Sequence, residues 1–184
     1  MTHQEFLDTL EQHVEEQLKE VIAVFQNLPE DRLLQPAANG GWSMAECFMH
    51  LNSYAAFYLP RITHALATAD SISLNEPFKH GFLGKYFIDM MDAEQSTKKY
   101  KAMKKHRPDH AVQAHEAVSG FIAHLETLQA LVRNARGKAL NKSVKTSISP
   151  LLSIKVGDAL QFVLTHNRRH LLQARKNLES QITR

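Results

Sequence analysis

Two histidines four residues apart, His166 and His170, stand in the run Thr-His-Asn-Arg-Arg-His-Leu-Leu-Gln at positions 165–173. On a helix that spacing puts both imidazoles on one face, about 6 Å apart along the axis. Neutral imidazole is the usual nitrogen ligand for zinc and related metals, so the pair suits a metal ion. The same spacing arises by chance in a chain with 11 histidines, and it needs a partner from elsewhere. His50 is that partner. It stands among Cys47, Phe48, Leu51, Tyr54 and Phe57, a largely apolar helical face where a lone histidine is otherwise a hydrogen-bonded core residue. One ligand from one helix and two from another leave a fourth position for water or substrate, which is the plan of a catalytic zinc site. An ion held in this way lowers the pKa of bound water, or keeps a thiol as thiolate at neutral pH.

Several neighbours are candidates for the remaining chemistry. Glu46 lies four residues before His50 and shares its face, so it is a candidate general base. It also completes an S-x-x-E capping box with Ser43. Tyr54, four beyond His50, lines a pocket or packs in the core. Gln173, three after His170, bonds a ligand or a substrate, or faces solvent. Cys47 is read as an inert buried thiol, because a fourth protein ligand would close the open position. Among the other histidines, His64 would lie about 21 Å from His50 along its helix. His106, His110 and His115 share no helical face with a third partner. His3, His13, His80 and His124 read as surface residues.

The elements that must position these groups are helical. Phe6, Leu10, Val14, Leu18, Val21, Ile22 and Phe25 recur at three- and four-residue steps over residues 3–28, and Pro29 ends that helix. Residues 29–41 form a loop closing in Asn39-Gly40-Gly41, with Trp42 before the cap as a staple onto the next helix. That helix runs from Ser43 to about Ala69, with a kink or break expected near Phe57 because Pro60 lies inside it. Residues 81–91 predict a short helix. A basic run follows, with Lys98, Lys99, Lys101, Lys104, Lys105 and Arg107. Its bland reading is a solvated linker, and no nucleic-acid motif accompanies it. Pro108-Asp109 opens a third long helix over residues 110–134, with Gly137 as its stop. Residues 140–155 read as a long loop, and a fourth amphipathic helix covers residues 156–178. The expectation is an all-α fold: a four-helix bundle with a short extra helix between helices 2 and 3. The long connections 70–109 and 137–155 permit crossovers. Bundle cores commonly hold metal sites built from facing helices.

Composition narrows the setting. A chain of 184 residues is long enough for one domain with a sizeable core. The net charge of +3 and pI near 9.0 are mildly basic and do not point to nucleic acid without a clustered patch. One cysteine excludes an internal disulfide and fits a reducing compartment. No apolar run is long enough to span a bilayer, and the start of the chain has no secretory pattern, so a cytoplasmic location is expected.

The stretch Gly41-Trp42-Ser43-Met44-Ala45-Glu46-Cys47-Phe48-Met49-His50-Leu51, followed downstream by His166-Asn167-Arg168-Arg169-His170-Leu171-Leu172-Gln173, resembles the DinB-like superfamily of metal-binding four-helix bundles. The resemblance extends over nearly the whole chain and places the family's ligand triad on His50, His166 and His170. It implies a divalent ion, zinc or nickel, and a homodimer. It also implies a small-molecule substrate, with a thiol-dependent S-transferase using a low-molecular-weight thiol cosubstrate as the leading activity. A metal-dependent hydrolase and a non-catalytic stress-response or binding module are the alternatives.

Overall fold

The computed structural model of the chain describes residues 1–93, 100–108 and 112–182. Six α-helices carry the fold: α1 (His3–Val24), α2 (Glu30–Leu34), α3 (Met44–Ala67), α4 (Phe82–Met91), α5 (Ala114–Asn134) and α6 (Val156–Ile182). A 3₁₀ turn at Lys104–His106 precedes α5, and a two-stranded antiparallel hairpin, β1 (Ser143–Lys145) and β2 (Ser153–Lys155), precedes α6.

Both N-terminal long helices begin in capping boxes. Thr2 and Glu5 exchange bonds at α1, and Ser43 and Glu46 do so at α3. Each box satisfies two backbone N–H groups that would otherwise lack partners. The apolar stripes then bury. Phe6, Leu10, Val14 and Val21 from α1 meet Phe48, Leu51 and Ile62 from α3, Phe121, Leu125 and Leu128 from α5, and Leu160, Leu164 and Leu171 from α6 in one core.

Five sequence expectations need correction. Helix α1 ends at Val24, and the expected loop after Pro29 contains α2. Glu30 and Asp31 favour the positive end of that short helix, and Leu33 is fully buried. Helix α3 is unbroken through Pro60. The proline is on the exposed side of the helix, and the Arg61 guanidinium donates to the Phe57 carbonyl at 2.6 Å. Helix α5 starts at Ala114, because Val112 and Gln113 are non-helical; Asp109 and His110, like Lys98 and Lys99, lie outside the described residues. The loop before α6 contains the hairpin, which alternates so that Val144 and Ile154 are buried between exposed or half-buried neighbours.

Helix α1 packs on α5 and α6, and α3 packs on the same two. Of the long helices consecutive in sequence, α3 and α5 are neighbours, whereas α1 and α3, and α5 and α6, are therefore diagonal in the bundle. Arg133 of α5 and Arg136 just beyond its end bond Glu11 of α1, with Arg136 also reaching Asp8, an antiparallel pairing. Gln17 donates to the Leu164 carbonyl and Glu20 pairs with Arg168 and Arg175, so α1 and α6 run parallel. Helix α3 is antiparallel to α6: Trp42, just before α3, meets Asn177 late in α6, and Tyr58 meets Phe162. That arrangement brings the start of α3 alongside the second half of α6.

Helix α4 is fixed by a buried carboxylate. Asp158, in the first turn of α6, accepts from His80 Nδ1 at 2.7 Å and from the Gly81 N–H at 3.0 Å. A side chain at Gly84 would overlap that carboxylate, so the helix closes on α6 through a residue with no Cβ.

Candidate metal centre

The antiparallel crossing of α3 and α6 carries His50 inward from the second turn of α3. It carries His166 and His170 inward from successive turns of α6. One nitrogen from each ring lies within 4.8 Å of the others. The ring centroids are 5.1 Å apart for His50–His166, 4.6 Å for His50–His170 and 4.8 Å for His166–His170. His50 and His166 are buried and His170 is nearly so.

The hydrogen bonds at the outer nitrogens fix the direction of the inner ones. A carbonyl only accepts, so His50 Nδ1 donates to the His106 carbonyl, at 2.6 Å. His170 Nδ1 lies 3.1 Å from Gln173 Oε1 and donates to it. Each neutral ring then presents the Nε2 lone pair on its other edge, as a metal ligand requires. Burial is the main reason that all three rings hold their protons weakly. His166 lies well below the usual histidine range, with neighbouring His170 and His50 adding to the effect. His170 falls to about 3, with His50 adding and the Gln173 bond opposing. His50 is lowered by burial against the opposing pull of its bond to the His106 carbonyl.

His50 Nε2 and His166 Nε2 face each other at 3.3 Å. Two buried lone pairs at that distance repel, so a proton on one ring or a cation shared by the set must stand between them. Two nitrogens bound tetrahedrally at the usual zinc–nitrogen length are about 3.3 Å apart. The donor set therefore fits a divalent ion.

The walls are aromatic. Trp42 lies 4.8 Å from the His50 ring and 5.8 Å from the His170 ring. Tyr54 lies 4.4 Å from His166, and Phe162 stacks on His166 at 5.8 Å. The residues flagged from sequence separate here. Tyr54 packs over the histidines, and burial raises its phenol pKa. Gln173 is bonded to His170. Both Glu46 capping interactions are made, so its carboxylate is engaged at the helix start, with Oε2 2.8 Å from the Ser43 N–H. Cys47 is buried beside the core with its thiol pKa pushed up by burial, and it is not part of the clustered nitrogens. Trp42, expected only as a staple, is a wall of the centre.

Three surface expectations fail. His3 is buried, its Nδ1 meeting the Glu76 carbonyl, and His80 is bonded to Asp158. His124 is half-buried, with its Nδ1 3.0 Å from Asn52 Oδ1. His106 shares no helical face with a third histidine partner, yet its carbonyl orients His50. Only Trp42 had a local signal, in the Trp-Ser-x-x-Glu start of α3. A backbone carbonyl delivered from a distant turn leaves none.

The family model for the DinB superfamily matches residues 3–174 of the chain. No curated protein matches it. Among solved structures, YfiT from Bacillus subtilis, described as a probable metal-dependent hydrolase with an unusual four-helix bundle topology, aligns with a TM-score of 0.61. The alignment covers 96% of this chain and 87% of that chain at 14% identity, which establishes the likeness of fold.

Proposed function

The chain belongs to the DinB superfamily, and from that premise we propose that it is a metal-dependent enzyme acting on a small molecule. His50, His166 and His170 are its ligands for one divalent ion, zinc or nickel, and its reaction is the transfer of a low-molecular-weight thiol to an electrophile. The observation that carries this reading is the convergence of three imidazoles, two buried and one half-buried, whose ligating nitrogens lie within 4.8 Å of one another. When bound, the ion supplies Lewis acidity that makes a thiol or water nucleophilic at neutral pH. The chain's own residues do the rest. The His106 carbonyl and Gln173 hold two rings in the ligating tautomer. Trp42, Tyr54 and Phe162 keep the surroundings dry, which strengthens any charge interaction made there.

Thiol transfer is favoured over hydrolysis by the character of these walls. Hydrolysis calls for a general base to take a proton from water. Glu46 is engaged in its cap, and no carboxylate joins the histidine cluster among the described residues. A thiol starts from a much lower pKa than water and gives up its proton to solvent on binding the ion, so it depends less on such a base. Hydrolysis is the second reading, because YfiT is described as a probable metal-dependent hydrolase.

Metal analysis of untagged protein should give one divalent ion per chain, and His166→Ala and His170→Ala should each lose it. Unchanged stoichiometry in both variants would rule out the ligand assignment. Consumption of a small thiol in the presence of an electrophile panel then separates transfer from hydrolysis.

A further inference from the structure

His50 is held from outside the bundle by a turn that carries no ligand of its own. Its Nδ1 donates to the His106 carbonyl at 2.6 Å. The ring of the same His106 is bonded through Nδ1 to Ser53 Oγ at 2.7 Å. Ser53 lies on α3, three residues beyond His50, and so about one turn along the same side of the helix. Helix α3 thus grips the Lys104–His106 turn twice, once by the backbone and once by the side chain of one residue. His106 is buried, its ring centroid 4.1 Å from that of Tyr54, which packs in turn on His166 at 4.4 Å. Ser53 Oγ is the hydrogen-bond partner of the His106 ring, and the other ring nitrogen, Nε2, is buried without one.

We propose that Ser53 is a positioning residue for the metal centre: it anchors the His106 ring, which sets the His106 carbonyl against His50 and so fixes the tautomer and rotation of that ligand. The inference rests on the three-histidine reading and adds to it a source of regulation. The ion and the docked Lys104–His106 turn stabilise one another, because the bond that orients His50 for the ion is the bond that seats the turn. Without the Ser53 hydroxyl the His106 ring loses its anchor and the carbonyl is free to withdraw. His50 Nδ1 then loses its acceptor, and the preference for a free Nε2 lone pair goes with it.

The test uses Ser53→Ala and, as the conservative control, Ser53→Thr, which keeps a hydroxyl. Co²⁺ is the probe, followed by its visible absorption. Ser53→Ala should bind about tenfold more weakly than wild type, still at one ion per chain, and Ser53→Thr should bind close to wild type. In metal-free protein, nitrogen-resolved spectra of the histidine rings should show a slowly exchanging His50 Nδ1 proton in wild type and Ser53→Thr. Ser53→Ala should lose it while keeping its helical circular dichroism. Ser53→Ala with an unchanged His50 proton and unchanged Co²⁺ affinity would overturn the proposal. Wild type that takes up no Co²⁺ would sink the metal reading alone. The ring spectra of metal-free protein would then decide by themselves whether Ser53 positions His50.

Discussion

A histidine ligates only when neutral, and the centre secures that by burial. The four imidazoles His50, His106, His166 and His170 all hold protons more weakly than histidine in water, with desolvation the largest cause in each. The sign of the resulting pH dependence follows. As pH falls through about 6.5 the unfolded chain takes up protons that the folded chain refuses. Stability is therefore complete above that pH and is lost below it, down to about 4 for His106 and about 3 for His170. Each such group costs about 1.4 kcal/mol per pH unit inside its window. Urea unfolding of metal-free protein should show a lower midpoint at pH 5 than at pH 7.5. His166→Leu should flatten that dependence by roughly one proton; an equal slope would show that His166 is not held neutral by the fold. From sequence, the residue types and the four-residue spacing were legible, and so was His50 on its apolar face. The tautomers were not, since they depend on what each outer nitrogen meets.

At the scale of elements, periodicity and caps located the long helices well, because both are local: a stripe repeats every three or four residues and a box spans four. Non-local contacts moved the boundaries. Pro60 leaves α3 continuous because it faces water, and the hairpin before α6 forms because Val144 and Ile154 find the core. The docking of α4 is a close fit at one point. Gly84→Ala would drive a methyl into the Asp158 carboxylate, and overpacking of that kind costs about 1–3 kcal/mol. Thermal unfolding should drop by several degrees, whereas Gly120→Ala, which meets only the end of the Asn52 side chain, should cost less. The Lys104–His106 turn offers a second measurement. Lys104 and Lys105 make it a substrate for trypsin once undocked. Zinc should slow cleavage there in wild type and give little protection in Ser53→Ala; equal protection in both would argue that the ion and the turn are independent.

For the whole molecule, the diagonal placement of α1 against α3 and of α5 against α6 brings α3 beside α6 and so creates the centre. In a simple up-down-up-down bundle each long helix packs on the next in sequence; here α3 packs on α5 and α6 while α1 faces it across the core. Among the described residues no helix is long and apolar enough to cross a membrane. The amino-acid order by itself determined the class of fold, the helical stripes and caps, and a ligand pair on one turn, since each depends on interactions between residues a few positions apart. Only the tertiary structure decided that His50 and His166, 116 positions apart, meet at 3.3 Å, and that a carbonyl and a hydroxyl hold the first of them in place. The order and rotation of the helices come from packing summed over the entire core, and no short window of sequence contains that sum.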